Sequence, residues 1–178
     1  MAASDRHSVW LTEALDGNER IATLLRALAT HGCAVKPGNV RVGPCADMPG
    51  FSGGFHPEIG IRLCQENLRS RVHLEDTLTH ELVHAFDWCT MDWDLANLRQ
   101  QACSEIRAGL ISGDCRITSE LMRGRIPTAF GMKRIEACVK RRAVLSLLGN
   151  PVCKGRDEAM DVVNAAYPAC SQDRAPFE

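Results

Sequence analysis

The sequence predicts an α+β protein that is mostly helical, with a small sheet preceding a helix that carries an H-E-x-x-H pattern. Three observations predict it. Apolar residues recur at three- and four-residue intervals over several long segments, the period of helices with one buried face. Ile59, Ile61 and Leu63 alternate with Gly60 and Arg62, the period of two that marks a half-buried strand. Between the first helical segment and that strand, Pro37 to Pro57 is rich in glycine and proline and suits turns.

Taken in order, Val9, Leu11, Leu15, Ile21, Leu24, Leu25 and Leu28 lie near helical spacing and Gly32 offers a left-handed stop. Residues 9 to 31 therefore predict one or two helices, broken near Gly17-Asn18. Val40 to Val42 predict a short strand, and the stretch after it, with Pro44, Pro49 and Gly53-Gly54, reads as turns. From Val72 to Trp88 the residues Leu74, Leu78, Leu82, Val83, Ala85 and Phe86 cover most of a helix surface, which predicts a helix buried on several sides. Further helices are predicted over residues 94 to 111, 117 to 123, 132 to 148 and 157 to 167, with stops at Ser112-Gly113-Asp114 and Gly149-Asn150-Pro151. With no internal repeat and no long linker, the chain predicts a single domain over residues 1–178: a helical segment to about residue 31, then a catalytic and C-terminal helical part over 32–178.

The 178 residues are 45% hydrophobic and 24% charged, as suits a globular domain. Twenty-one basic residues against twenty-two acidic ones leave a net charge of −1, so no overall positive field holds the protein on nucleic acid or an anionic surface. A nucleic-acid partner, and with it a DNA-repair role, is not expected. No segment approaches the roughly 18 to 20 apolar residues of a membrane-spanning helix. Asp5 before Arg6, with no apolar run after them, gives neither a secretory signal nor an acid-free transit peptide.

Nine cysteines lie 12 to 25 residues apart with no C-x2-C pair, so the close pairs of zinc knuckles are absent. Such spacing suits disulfides between separate elements in an oxidising compartment; buried thiols serving as small apolar residues are the alternative. The odd count leaves at least one thiol unpaired in a monomer.

Residues 80 to 84 read His80-Glu81-Leu82-Val83-His84. Positions i and i+4 of a helix are about 40° apart around the axis and about 6 Å along it, so both imidazoles reach one point, as two zinc–nitrogen bonds require. Glu81 then lies beside the metal and is placed to take a proton from its bound water and pass it to the leaving amine of a peptide bond. Burying these three polar residues with no metal would leave several groups in need of partners, at about 1 to 3 kcal/mol for each one unmet. A catalytic zinc takes three protein ligands, and two residues compete for the third place. Glu105, twenty-one residues after His84 on the next predicted helix, matches the gluzincin spacing, and small neighbours Ala102, Ser104, Ala108 and Gly109 permit close helix approach. Asp87, one turn after His84, better suits a role orienting a ligand. The position a metzincin would need, six residues after His84, is Thr90 and fails. His73 and His56 suit loop or surface roles, Trp88 and Trp93 core packing, and the run Lys133, Arg134, Lys140, Arg141, Arg142 a solvated helix face.

Gly32-Cys33-Ala34-Val35, Gly53-Gly54-Phe55, His80 to Asp87, Ala102-Cys103-Ser104-Glu105-Ile106-Arg107-Ala108, Ser112-Gly113-Asp114-Cys115 and Ala175-Pro176-Phe177 appear together in this chain. It thereby resembles, from about residue 20 to 177, the mitochondrial inner-membrane metalloprotease family that processes and helps assemble the ATP synthase. The resemblance implies a zincin-like, zinc-dependent endopeptidase with disulfides formed on import, peripheral on the intermembrane-space side of the inner membrane. It implies a protein substrate, the precursor of an ATP synthase membrane subunit. His80, Glu81 and His84 match the family's metal and catalytic positions, and Glu105 matches within Ser-Glu-Ile-Arg. The competing expectation is a non-proteolytic chaperone or assembly factor for the ATP synthase membrane sector, holding a structural zinc.

Overall fold

A computed structural model describes residues 3–47, 49–122, 124 and 131–178. They fall into two compact units, one over Met1–Met91 and one over Asp92–Pro176.

In the first unit, α1 (Ala3–Gly17) and α2 (Glu19–Thr30) are followed by β1 (Val40–Gly43), β2 (Gly53–His56), β3 (Gly60–Cys64) and α3 (Arg71–Thr90). Asn18 makes the expected break between the first two helices. It leaves helical geometry, and its side-chain oxygen accepts from the N–H groups of Arg20 (3.1 Å) and Ile21 (3.3 Å), two donors that the new helix would otherwise leave unmet. Along α2, Ile21, Leu24 and Leu28 form the buried stripe that the spacing predicts.

The sheet has the order β1-β3-β2, with β3 central, parallel to β1 and antiparallel to β2. Ile61 and Leu63 point into the core from β3, and α3 packs against β2, β3, α1 and α2. This enclosure accounts for the apolar residues around so much of the α3 surface. Leu74, Leu78, Leu82 and Val83 are fully buried, each worth about 1.5 to 3 kcal/mol in surface removed from water. Strand β3 begins at Gly60, whose φ of +95° is readily open only to glycine. β2 is the element the sequence reading assigns to turns. Its two glycines carry little strand propensity, but Gly53 is required where β2 crosses α3, because a Cβ there would lie 2.8 Å from Thr77 Cγ2.

The second unit holds α4 (Leu98–Ile111), α5 (Ile117–Met122), α6 (Gly131–Leu147) and α7 (Arg156–Cys170). Its core is built from Ala102, Ile106, Val139, Ala143, Leu147, Ala159, Val163 and Ala166. The small residues of α4 serve this core: a Cβ on Gly109 would meet Val139 of α6 at 3.5 Å. α4 starts at Leu98 rather than near residue 94, because Asn97 caps it by accepting from the N–H groups of Arg99 and Gln100, both at 3.1 Å. Asp94 instead turns the preceding segment by accepting from Ala96 N–H at 2.9 Å. The predicted end of α5 at Arg123 lies outside the described residues. α7 runs past the expected end at Tyr167, through Pro168, to Cys170, which is bonded to Cys103 on α4. The basic run on α6 is less solvated than its composition suggests. Arg134 donates to Cys115 O at 2.9 Å, Arg141 to both oxygens of buried Glu120, and Arg142 to buried Asp114 at 2.8 Å, because acids buried by the neighbouring segment need counter-charges.

Four disulfides join Cys33 to Cys89, Cys45 to Cys64, Cys103 to Cys170 and Cys115 to Cys138, and Cys153 is the free thiol. The expectation of staples between separate elements holds for each. No helix among the described residues is long and apolar enough to cross a membrane.

Candidate metal centre

Ser70 caps α3, its hydroxyl accepting from His73 N–H at 3.1 Å, so the helix is fully formed when it reaches residue 80. At its other end the Cys33–Cys89 bond ties the last turn to the chain just beyond α2. Phe86 meets the His31 ring edge to face at 5.8 Å. Held at both ends and enclosed along its length, α3 presents its polar residues with little freedom to move.

His80 and His84 project from successive turns with ring centroids 4.7 Å apart and planes 79° to each other. His80 and Glu81 are each 7% exposed, Asp87 is fully buried, and His84 is half-buried. Two neutral imidazoles one turn apart are borderline-soft nitrogen donors, a set that fits zinc better than the hard, oxygen-seeking cations. Glu81, between them in sequence, is a buried carboxylate with the proton-accepting chemistry a general base needs. Thr77, one turn before His80, is the residue that β2 crosses at Gly53. Among the described residues β2 is an outer strand of the sheet, next to β3.

Glu105 stands on α4 of the second unit, half-buried. Ser146 of α6 donates to its Oε1 at 2.7 Å. Gln101, one turn before Glu105, donates from Nε2 to Ser146 Oγ at 3.2 Å, and Asn150 Nδ2 donates to Gln101 Oε1 at 2.8 Å. Sequence reasoning misses Ser146, Gln101 and Asn150. They are 41, 4 and 45 positions from Glu105, and only the packing of α6 on α4 reveals that they meet.

The other histidines are engaged elsewhere. His73 Nδ1 accepts from Arg69 N–H at 3.4 Å, which leaves Nε2 as the protonated nitrogen, donating to Ser52 Oγ at 3.2 Å. His56 Nδ1 accepts from Glu58 N–H at 3.3 Å at the exposed end of β2. Trp88 and Trp93 are half-buried.

A strand-supported, buried helix thus carries the H-E-x-x-H pattern, and comparison with known sequences shows the family. The chain belongs to the Peptidase M76 family, whose profile matches residues 5–178. It is 50% identical over 135 residues to the mitochondrial inner membrane protease ATP23 of Candida glabrata, covering 75% of this chain and 60% of that protein. The protein of the same name from Yarrowia lipolytica is 44% identical over 147 residues, 83% of this chain and 57% of that one. The Saccharomyces cerevisiae protein is 47% identical over 135 residues, 75% and 59%. The chain thus spans little more than half the length of these curated relatives. No solved structure matches it.

Proposed function

We propose that this chain is a zinc-dependent endopeptidase of the mitochondrial inner membrane, acting on the intermembrane-space side on a precursor subunit of ATP synthase and assisting its assembly. The observation that carries the reading is the approach of the His80 and His84 rings, 4.7 Å apart, on a helix whose Glu81 between them in sequence is buried. His80, His84 and Glu105 are the proposed zinc ligands, Glu105 on its position after the second histidine and on the hydrogen bond that holds it as a carboxylate acceptor. A bound zinc ion would supply the Lewis acid that polarises the scissile carbonyl and acidifies the attacking water.

The remaining chemistry belongs to the chain. Glu81 takes the proton of the water and delivers it to the departing amine, a transfer whose efficiency depends on its fixed distance from both. An extended substrate segment can pair with the outer edge of β2, where main-chain hydrogen bonds bind any sequence and side-chain contacts give preference. The names of the relatives support a protein substrate and an inner-membrane location. Four disulfides support the oxidising side of that membrane, since a reducing matrix disfavours them. The family resemblance supports an ATP synthase precursor as the substrate.

The test is Glu81→Gln. The variant should keep its zinc, measured by elemental analysis, and its circular dichroism spectrum, while cleavage of the precursor disappears. Undiminished cleavage overturns the peptidase reading. Normal ATP synthase assembly in cells holding only this variant would instead assign the chain's main task to assembly.

A further inference from the structure

We infer that Ser146, Gln101 and Asn150 form a one-way hydrogen-bond relay that positions Glu105 as a metal ligand. The inference rests on the proposed ligand set.

The polarity of the relay is fixed by backbone groups. Asn150 Nδ2 donates to the carbonyl of Leu95 at 2.9 Å, and Asn150 Oδ1 accepts from Val152 N–H at 3.0 Å. A carbonyl can only accept and a backbone N–H can only donate, so the orientation of the Asn150 amide is determined. The same Nδ2 donates to Gln101 Oε1 at 2.8 Å, which turns the Gln101 Nε2 toward Ser146. There Nε2 faces two oxygens, Ser146 O at 3.4 Å and Ser146 Oγ at 3.2 Å, and the backbone one again admits only a donor. Ser146 has a single hydroxyl hydrogen. With Gln101 donating to its oxygen, that hydrogen goes to Glu105 Oε1, 2.7 Å away.

One consequence follows for Glu105. Every group along the relay donates toward the carboxylate, and the 2.7 Å bond from Ser146 fixes its rotation. Partners of this kind, bonded to a metal ligand rather than to the metal, commonly set 10- to 100-fold in metal affinity. Ser146, Gln101 and Asn150 are therefore positioning residues.

The experiment measures zinc dissociation constants by chelator competition on the full chain, together with the melting of the zinc-free protein. Ser146→Ala should raise the zinc Kd by about 10-fold with little change in zinc-free melting. Ser146→Thr, which keeps the hydroxyl, should restore most of the affinity. Gln101→Leu should weaken binding by a similar factor, and the double variant Gln101→Leu/Ser146→Ala should lose less than the product of the two, as members of one relay do. Glu105→Gln is the control for the ligand set. If Glu105→Gln weakens zinc binding while Ser146→Ala leaves Kd within about twofold, the relay is overturned and the ligand set stands. If Glu105→Gln itself leaves Kd unchanged, the ligand set has failed and the relay with it. Lowered zinc-free melting at constant Kd would assign Ser146 to the scaffold and overturn the inference.

Discussion

Gly53 on β2 passes so close to Thr77 on α3 that a methyl group on the glycine would lie 2.8 Å from Thr77 Cγ2 and 3.1 Å from both Arg62 O and Leu63 Cδ2. Two of these atoms are side-chain methyls and one is backbone in the neighbouring strand, so the crowding cannot be wholly relieved by rotation. Gly53→Ala should destabilise the protein by about 1 to 3 kcal/mol, the usual cost of an overpacked site, read as a lower midpoint in urea. Adding Thr77→Ser removes the offending methyl and keeps the hydroxyl that bonds His73 O at 2.8 Å. The pair should therefore recover part of the loss. Full stability in Gly53→Ala alone would show that the strand and helix are not held this tightly.

The bond between Cys33 and Cys89 closes a loop with a sequence separation of 56 and anchors the end of the histidine-bearing helix. In the chain-entropy account a loop of that length contributes about 4 kcal/mol. Replacing both cysteines with serine should lower the unfolding midpoint accordingly, more than the same change at Cys45 and Cys64, whose separation is 19. Hydrogen exchange should report the loosening first in the last turn of α3. A larger loss from the shorter loop would contradict this ranking.

Cys153 is half-buried and the other eight cysteines are in disulfides. Unreduced protein under denaturing conditions should therefore take up one maleimide per chain, and nine after reduction. Labelling located at any other cysteine by peptide mass spectrometry would refute the pairing described.

Much of the fold was legible because its signals are local. The break near Gly17-Asn18, the stripe of Ile21, Leu24 and Leu28, and the alternation of Ile61 and Leu63 each depend on residues within a turn or two of one another. The paired histidines were legible for the same reason. What escaped depends on distant partners. β2 exists because β3 offers it a ladder, which Gly53-Gly54 do not announce. Arg141 and Arg142 read as a solvated face until Glu120 and Asp114 are found buried opposite them. The last helix was expected to stop at Tyr167, whereas it continues through Pro168 to Cys170, whose partner Cys103 lies 67 residues earlier in the chain.

Two of the four sulfur crosslinks join cysteines no later than Cys89, and the other two begin no earlier than Cys103. No thiol of the leading half has its mate in the trailing one, so either set of bonds can close without the other.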